Sequence, residues 1–286
     1  MKNFKKITAL LATLLLAVGI TACDNNSKEA AKAEPTKVSA VDRIKQAGKV
    51  RIGVFSDKPP FGYVDQNGQS QGFDVEIAKD LSKDLLGDEN KVEFVLVEAA
   101  NRVEYLTSNK VDIILANFTV TPARQEVVDF AKPYMKVALG VASKDGAVIT
   151  DIKELEDKTL LVNKGTTADA FFTKNYPNIK LLKFEQNTET FQALVDGRGD
   201  ALAHDNTLLF AWAKENPGFT VGIKTLGEQD SIAGAVRKED KDLLEWLNAE
   251  TEKLSKDGSL KRAYEKTLLP VYGDTISEKD ILVEYQ

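Results

Sequence analysis

Residues 109–117, NKVDIILAN, and residues 197–205, GRGDALAHD, align without a gap. Each has a basic residue in a turn, Lys110 or Arg198, then an aspartate, Asp112 or Asp200, entering a run of small or apolar residues. Each ends on a polar side chain, Asn117 or Asp205. The likeness extends outward. In the first half, strands are predicted at 49–55, 91–97 and 111–117, with helices at 72–87 and 101–108 and another starting at Pro122. The helix at 72–87 places Phe73, Ile77, Leu81 and Leu85 on one face and has Gly87 at its end. In the second half, strands are predicted at 158–163, 179–184 and 199–205, with helices at 167–176, 188–197 and 206–216. Strands that alternate with helices build parallel sheets with right-handed crossovers. Two such runs predict two similar α/β lobes.

Two other segments resemble each other, KVALGVASK (136–144) and SIAGAVRK (231–238). They bound the second run and are expected to be the strands that cross between lobes. Lobe 1 is then 41–138 with 233–286, and lobe 2 is 139–232. The amphipathic stretch 239–258 is expected to pack back on lobe 1.

The first residues do not fit this scheme. Lys2, Lys5 and Lys6 precede the apolar run 7–20, which is short for a membrane span and is placed as in a signal peptide. The run ends in ITAC, and Cys23 is the only cysteine in the chain. A disulfide within one copy and a cysteine zinc cluster are therefore excluded. ITAC resembles a bacterial lipobox, which implies a signal peptide at 1–22 and a lipid on Cys23. Residues 23–40 are polar and poor in bulky side chains, as expected of a flexible tether. Loss of residues 1–22 takes the formal charge from −6 to −9. An acidic chain of this kind is not suited to nucleic acid.

In open α/β sheets, ligands bind beyond the carboxyl ends of the strands. Asn117, Asp205 and the loops 55–63 and 163–169 are predicted there. Thr121 and Pro122 read as a helix start, which puts Arg124 in a first turn where a cation is disfavoured. An anion between the guanidinium and the helix end would resolve the conflict. Arg124 suits a carboxylate bidentately, and Thr119, Thr166 and Thr167 add hydroxyls beside helix starts. Asp205 is an acceptor suited to an ammonium. Together these groups complement a zwitterion. His204 has no candidate nucleophile beside it and is expected to be structural, and as the only histidine it cannot form a two-histidine metal site.

The segments FTVTPARQEVVDFAKPY (118–134), KPPFGYVDQNGQSQGFDVEIAKDL (58–81) and KGTTAD (164–169) resemble the landmarks of polar amino-acid solute-binding proteins of ABC transporters. The resemblance covers nearly the whole chain after the signal segment. It implies a two-lobed α/β fold of the type II periplasmic-binding class, each lobe a mostly parallel sheet flanked by helices. Within that family, VEAANRVEYLTSNKVDIILANFT (97–119), LLVNKGTTADAFFTKNYPNIK (160–180) and HDNTLLFAW (204–212) look closest to cysteine-binding lipoproteins, and next to aspartate and glutamate binders.

The resemblance implies that Arg124, with Thr119 and Thr166 or Thr167, holds the α-carboxylate of an amino acid. Asp205 and Asn117 would hold the α-ammonium, and Phe61 and Tyr105 would wall the site. Lys58 stands where several basic-amino-acid and glutamine binders carry an aromatic lid. Arg102 matches a position that in acidic-amino-acid binders can pair with a side-chain carboxylate; a thiolate or solvent are the other readings. No cofactor or metal is expected. The expected partners are a small amino acid, cysteine first and cystine, aspartate or glutamate next, an ABC permease, and the membrane through the lipid. The protein is expected to be monomeric and extracytoplasmic. The alternative is an enzyme on the same fold, a dehydratase of the cyclohexadienyl or arogenate type. It would need a positioned general acid, and none stands out beyond Lys58 and Arg102, neither of which has an ordinary general acid's pKa.

Overall fold

The computed structural model describes residues 38–286. The predicted signal segment, Cys23 and the tether as far as Lys37 lie outside the described residues. Among the described residues no helix is long and apolar enough to cross a membrane.

Helix α1 (Ala40–Ala47) starts the fold, its first turn capped by the Ser39 hydroxyl. Strand β1 (Val50–Phe55) follows, then a small sheet of β2 (Asp57–Lys58), β3 (Gly62–Val64) and β4 (Ser70–Gln71). Next come α2 (Phe73–Leu86), β5 (Val92–Val97), α3 (Arg102–Thr107), β6 (Ile113–Ile114) and the single turn α4 (Pro122–Gln125). The long strand β7 (Val128–Lys144) leads to β8 (Thr159–Asn163), α5 (Thr167–Asn175), β9 (Lys180–Phe184), α6 (Asn187–Val195), β10 (Ala201–Asp205) and α7 (Asn206–Glu215). The second long strand β11 (Phe219–Arg237) precedes α8 (Lys241–Lys256), α9 (Ser259–Thr267), α10 (Leu269–Tyr272) and α11 (Glu278–Ile281).

The main sheet has eight strands in the order β5-β1-β6-β11-β7-β10-β8-β9. At one end β1 lies parallel between β5 and β6, and at the other β8 lies parallel between β10 and β9. In each triplet the second strand in sequence is outermost, the first central and the third innermost. The repeat seen in the sequence is thus a repeat of topology. Between the triplets, β7 and β11 run antiparallel to each other, with Ser231 opposite Lys136 and Leu226 opposite Leu139. Register shifts interrupt this pair between Val221 and Ala235. Bulges of this kind bend a strand and raise its twist, which lets one pair join both triplets.

Two predicted elements are shorter than expected. The strand predicted at 111–117 keeps ladder-like bonds on both sides of β6, from Asp112 N to Arg51 O (2.8 Å) and from Leu115 N to Gly53 O (2.9 Å). It ends because Asn117 adopts φ 43°, a left-handed conformation that leaves the extended path. Helix α4 stops after one turn because Val128, Asp129 and Phe130 are drawn into pairing with Arg237, Val236 and Ala235. A single turn carries little dipole, so the conflict expected between Arg124 and a helix end is weak.

The largest core cluster takes residues from α1, β1, α2, α8 and α9, including Val50, Ile52, Phe73, Leu81 and Leu247. A second cluster around Val141, Leu160, Val162 and Phe172 lies under β8 and α5, and a third joins Phe55, Leu106, Ile114 and Phe118. These clusters fix the strand ends that carry the polar residues described next.

Candidate functional site

At the carboxyl end of β10, Asp205 is 4% exposed and accepts two hydrogen bonds on Oδ2, from Lys58 Nζ at 3.0 Å and Asn117 Nδ2 at 2.6 Å. Lys58 comes from β2 and Asn117 follows β6, so the first half of the chain reaches across to the second. Burial by itself would raise the Asp205 carboxyl; the Lys58 ammonium, aided by Arg102, holds it below its ordinary value. The same burial lowers Lys58, and Asp205 opposes that shift. An ionised pair with an amide donor is the arrangement these neighbours support.

His204 is fully buried. Its Nδ1 accepts from the Asp205 N–H at 2.7 Å, so the ring proton sits on Nε2 and faces Asn187 Oδ1 at 3.0 Å. Burial, with Lys58 nearby, pushes the imidazolium down to about 3. Nδ1 lies 3.6 Å from Asp205 Oδ2, but a neutral ring that already accepts through Nδ1 makes no ion pair there. The histidine fixes the backbone of Asp205 and has the structural role expected from the sequence.

Beneath Asn117 lies Asp74, at the start of α2. Its Oδ2 accepts from Asn117 N at 2.8 Å and its Oδ1 from Tyr134 Oη at 2.7 Å. These bonds hold the strained Asn117 backbone in place. The Asn117 side-chain oxygen is buried with no hydrogen-bond partner. An orphaned acceptor of this kind costs about 1–3 kcal/mol, and an ammonium beside Asp205 would satisfy it.

Arg124 Nη1 donates to Thr119 O at 2.7 Å and Nη2 to Gly165 O at 2.9 Å, with the guanidinium over the Phe118 ring at 4.6 Å. Burial draws it down to about 10, opposed by Asp205 and Asp230. Arg124 has no ion pair among the described residues. It lines a groove of about 400 Å³ together with Gly165, Thr166 and Thr167. Thr166 caps α5, accepting from Asp169 N and donating to Asn163 O at 2.7 Å, so its hydroxyl is already engaged. Thr167 begins that helix, where backbone N–H groups lack intrahelical acceptors.

The remaining expected residues sit differently. Arg102 is buried and donates to Ala99 O, Ala116 O, Asn117 O and Gly165 O at 2.9–3.2 Å, between the rings of Phe55 and Phe118. Its donors meet carbonyls rather than solvent, and it ties the Asn117 turn to the Gly165 turn. Burial, with Arg124 close by, lowers it well below its ordinary value. Phe61 is turned fully into the main core. Tyr105 packs against the third core cluster, with the exposed Lys110 ammonium over its ring at 4.4 Å. Thr119 is buried, contributes its carbonyl to Arg124, and bridges to Ile232 on β11. Lys58, Asn117 and Asp205 are thus one buried cluster, Arg124, Thr166 and Thr167 line a groove, and Arg102 contacts both turns.

Sequence reasoning missed Asp74, which looks like an ordinary acid in a first helical turn, and Gly165 O as the acceptor shared by two guanidiniums. It also missed Asp57, which accepts from Asn187 Nδ2 at 3.1 Å and Thr188 N at 3.2 Å across the halves. Nothing in the sequence links residues 130 positions apart.

The model of the bacterial extracellular solute-binding proteins, family 3, matches residues 50–269. The chain belongs to this family. A solved solute receptor for L-cysteine of Neisseria gonorrhoeae is 68% identical, with a TM-score of 0.84, over 85% of this chain and 99% of that one. A cysteine-binding protein from Campylobacter jejuni is 61% identical, with a TM-score of 0.85, over 87% of this chain and 100% of that one. The ABC transporter glutamine-binding protein of Bacillus subtilis (strain 168) is 32% identical over 92% of this chain and 97% of its own length. This solute-binding protein therefore has the two-lobed mixed α/β architecture of the family and works outside the cytoplasm. It is a binding protein and not an enzyme, in keeping with relatives that are receptors. An amino-acid ligand and a permease partner follow from its membership.

Proposed function

We propose that the protein captures L-cysteine and delivers it to an ABC importer in the membrane, with cystine, aspartate and glutamate as weaker candidates. The observation that carries this reading is the opposition of Arg124, a donor fork without an ion pair among the described residues, to Asp205 and the unpartnered Asn117 oxygen. An α-carboxylate suits the first and an α-ammonium the second. The identities of 68% and 61% to cysteine receptors favour cysteine over glutamine, whose binder is 32% identical. Lys58, buried beside Asp205, also disfavours a cationic ligand side chain.

Binding across two halves would shift an open–closed equilibrium by its preference for the closed state. Lobe 1 would comprise 41–138 and 233–286, and lobe 2 would comprise 139–232, with β7 and β11 as the crossing strands. Cys23 would carry the lipid and residues 24–37 the tether that keeps a monomer near its permease. Replacing Cys23 with Ala should release the protein from membranes; unchanged membrane association would count against the anchor.

The test of the ligand is calorimetry with the twenty amino acids and cystine under reducing and non-reducing conditions. Reduced cysteine is expected to bind most tightly. Arg124→Ala should weaken every amino acid at least a hundredfold, since it removes the contact they share, and Arg124→Lys should restore only part of that loss because the bidentate fork is gone. Unchanged affinity in Arg124→Ala would refute the assignment.

A further inference from the structure

A cavity of about 660 Å³ lies apart from the cleft residues, where β7, β11, α7 and the C-terminal elements meet. Its floor is apolar, with Phe210, Phe219, Val221, Tyr272 and Ile276. Its rim carries Lys136, Lys214 and Lys224, none of them ion-paired among the described residues. Lys136 Nζ donates only to the Lys279 carbonyl, at 3.2 Å. Asp280 is the acid on this rim, and its carboxylate is engaged by Ser277 N and Oγ at 2.9 and 2.7 Å. Thr207 lines the same cavity, is 5% exposed, and has a side-chain oxygen without a hydrogen-bond partner.

These features share one remedy. Three lysines without ion pairs among the described residues edge an apolar floor. A ligand with an apolar body and one acidic head would cover the floor and approach the lysines. The volume lies within the range of small-molecule sites, roughly 300–1,000 Å³. We infer that this cavity is a second ligand site, for a carboxylic acid carrying an extended apolar body. Asn206, the residue after Asp205, forms part of its wall. Asn206 Oδ1 accepts from Ala138 N at 3.2 Å and its Nδ2 donates to Lys224 O at 3.0 Å, and all three residues line the cavity.

The test uses the full chain, the anionic fluorophore 1-anilinonaphthalene-8-sulfonate as probe, and decanoate as competitor. One saturable probe site is expected, displaced by decanoate, at least tenfold less well by decanol, and not by saturating cysteine. Lys214→Glu with Lys224→Glu, both at exposed positions, should weaken decanoate at least tenfold and leave cysteine affinity unchanged. Absence of a saturable site, equal competition by decanol, displacement by cysteine, or unchanged decanoate affinity in the double variant would overturn the proposal. Probe binding that emerges only after removal of residues 1–37 would assign the cavity to that segment and overturn it equally.

Discussion

Lys58 Nζ stands 3.0 Å from Asp205 Oδ2, with 2% and 5% of the two side chains exposed. Lys58 is therefore the counter-ion of the residue expected to hold the ligand's ammonium. Removing it should leave a buried carboxylate uncompensated. Lys58→Met is expected to cost about 3 kcal/mol at pH 7, a drop in ligand-free Tm of roughly 6–10 °C. Asp205 is held below its ordinary value, so its stabilising contribution is present above roughly pH 4 and lost on acidification. The variant lacks it at neutral pH, and ligand should then raise Tm by more than in the wild type. Equal ligand-induced shifts in the two proteins would contradict this account.

Gly165 adopts φ 73°, and a Cβ there would lie 2.5 Å from Ala100 Cα and 2.7 Å from Ala100 N. Both atoms are backbone on the far side of the cleft and cannot rotate away. Gly165→Ala should therefore block the contact between halves, lowering amino-acid affinity at least a hundredfold. The strained φ itself should cost only about 1–2 kcal/mol. Small-angle scattering with ligand present should show an expanded molecule, and an affinity within threefold of wild type would disprove the idea.

Asp57 caps the start of α6 from the opposite half, through Asn187 Nδ2 and Thr188 N. It is expected to favour the closed form without meeting the ligand. Asp57→Ala should lower affinity about tenfold, the size of a lost charged cap, and by the same factor for every amino acid that binds. A changed order of preference would place Asp57 in the binding site instead.

Burial raises the Asp74 carboxyl to about 7, although Tyr134 and the Asn117 N–H oppose the shift. A carboxyl raised in the folded state binds more protons there than in the unfolded chain. Its contribution to stability therefore falls as pH rises from about 4 to about 7. Asp74→Asn should flatten the corresponding part of the Tm–pH curve, since an amide can still accept from Asn117 N. Curves that stay parallel across this window would show that Asp74 does not titrate there.

Much of the architecture was legible before any coordinates. The paired segments 109–117 and 197–205 follow from a short-range rule, because strand and helix periods and turn residues act within a few positions. That rule placed Asn117 and Asp205 at matched strand ends, and the helix start at Thr121 and Pro122 placed Arg124 in a first turn. The length of α4 was not legible, since the pairing of Val128 with Arg237 ended it. Nor were the roles of Lys58 and Arg102, because a cation's meaning depends on what surrounds it. Folding buried Lys58 against a carboxylate 147 residues away, and gave Arg102 a ring of carbonyls. Local sequence decided which groups reach the cleft. Only the tertiary structure decided which of them are already neutralised, because desolvation and long-range partners exist only once the halves meet.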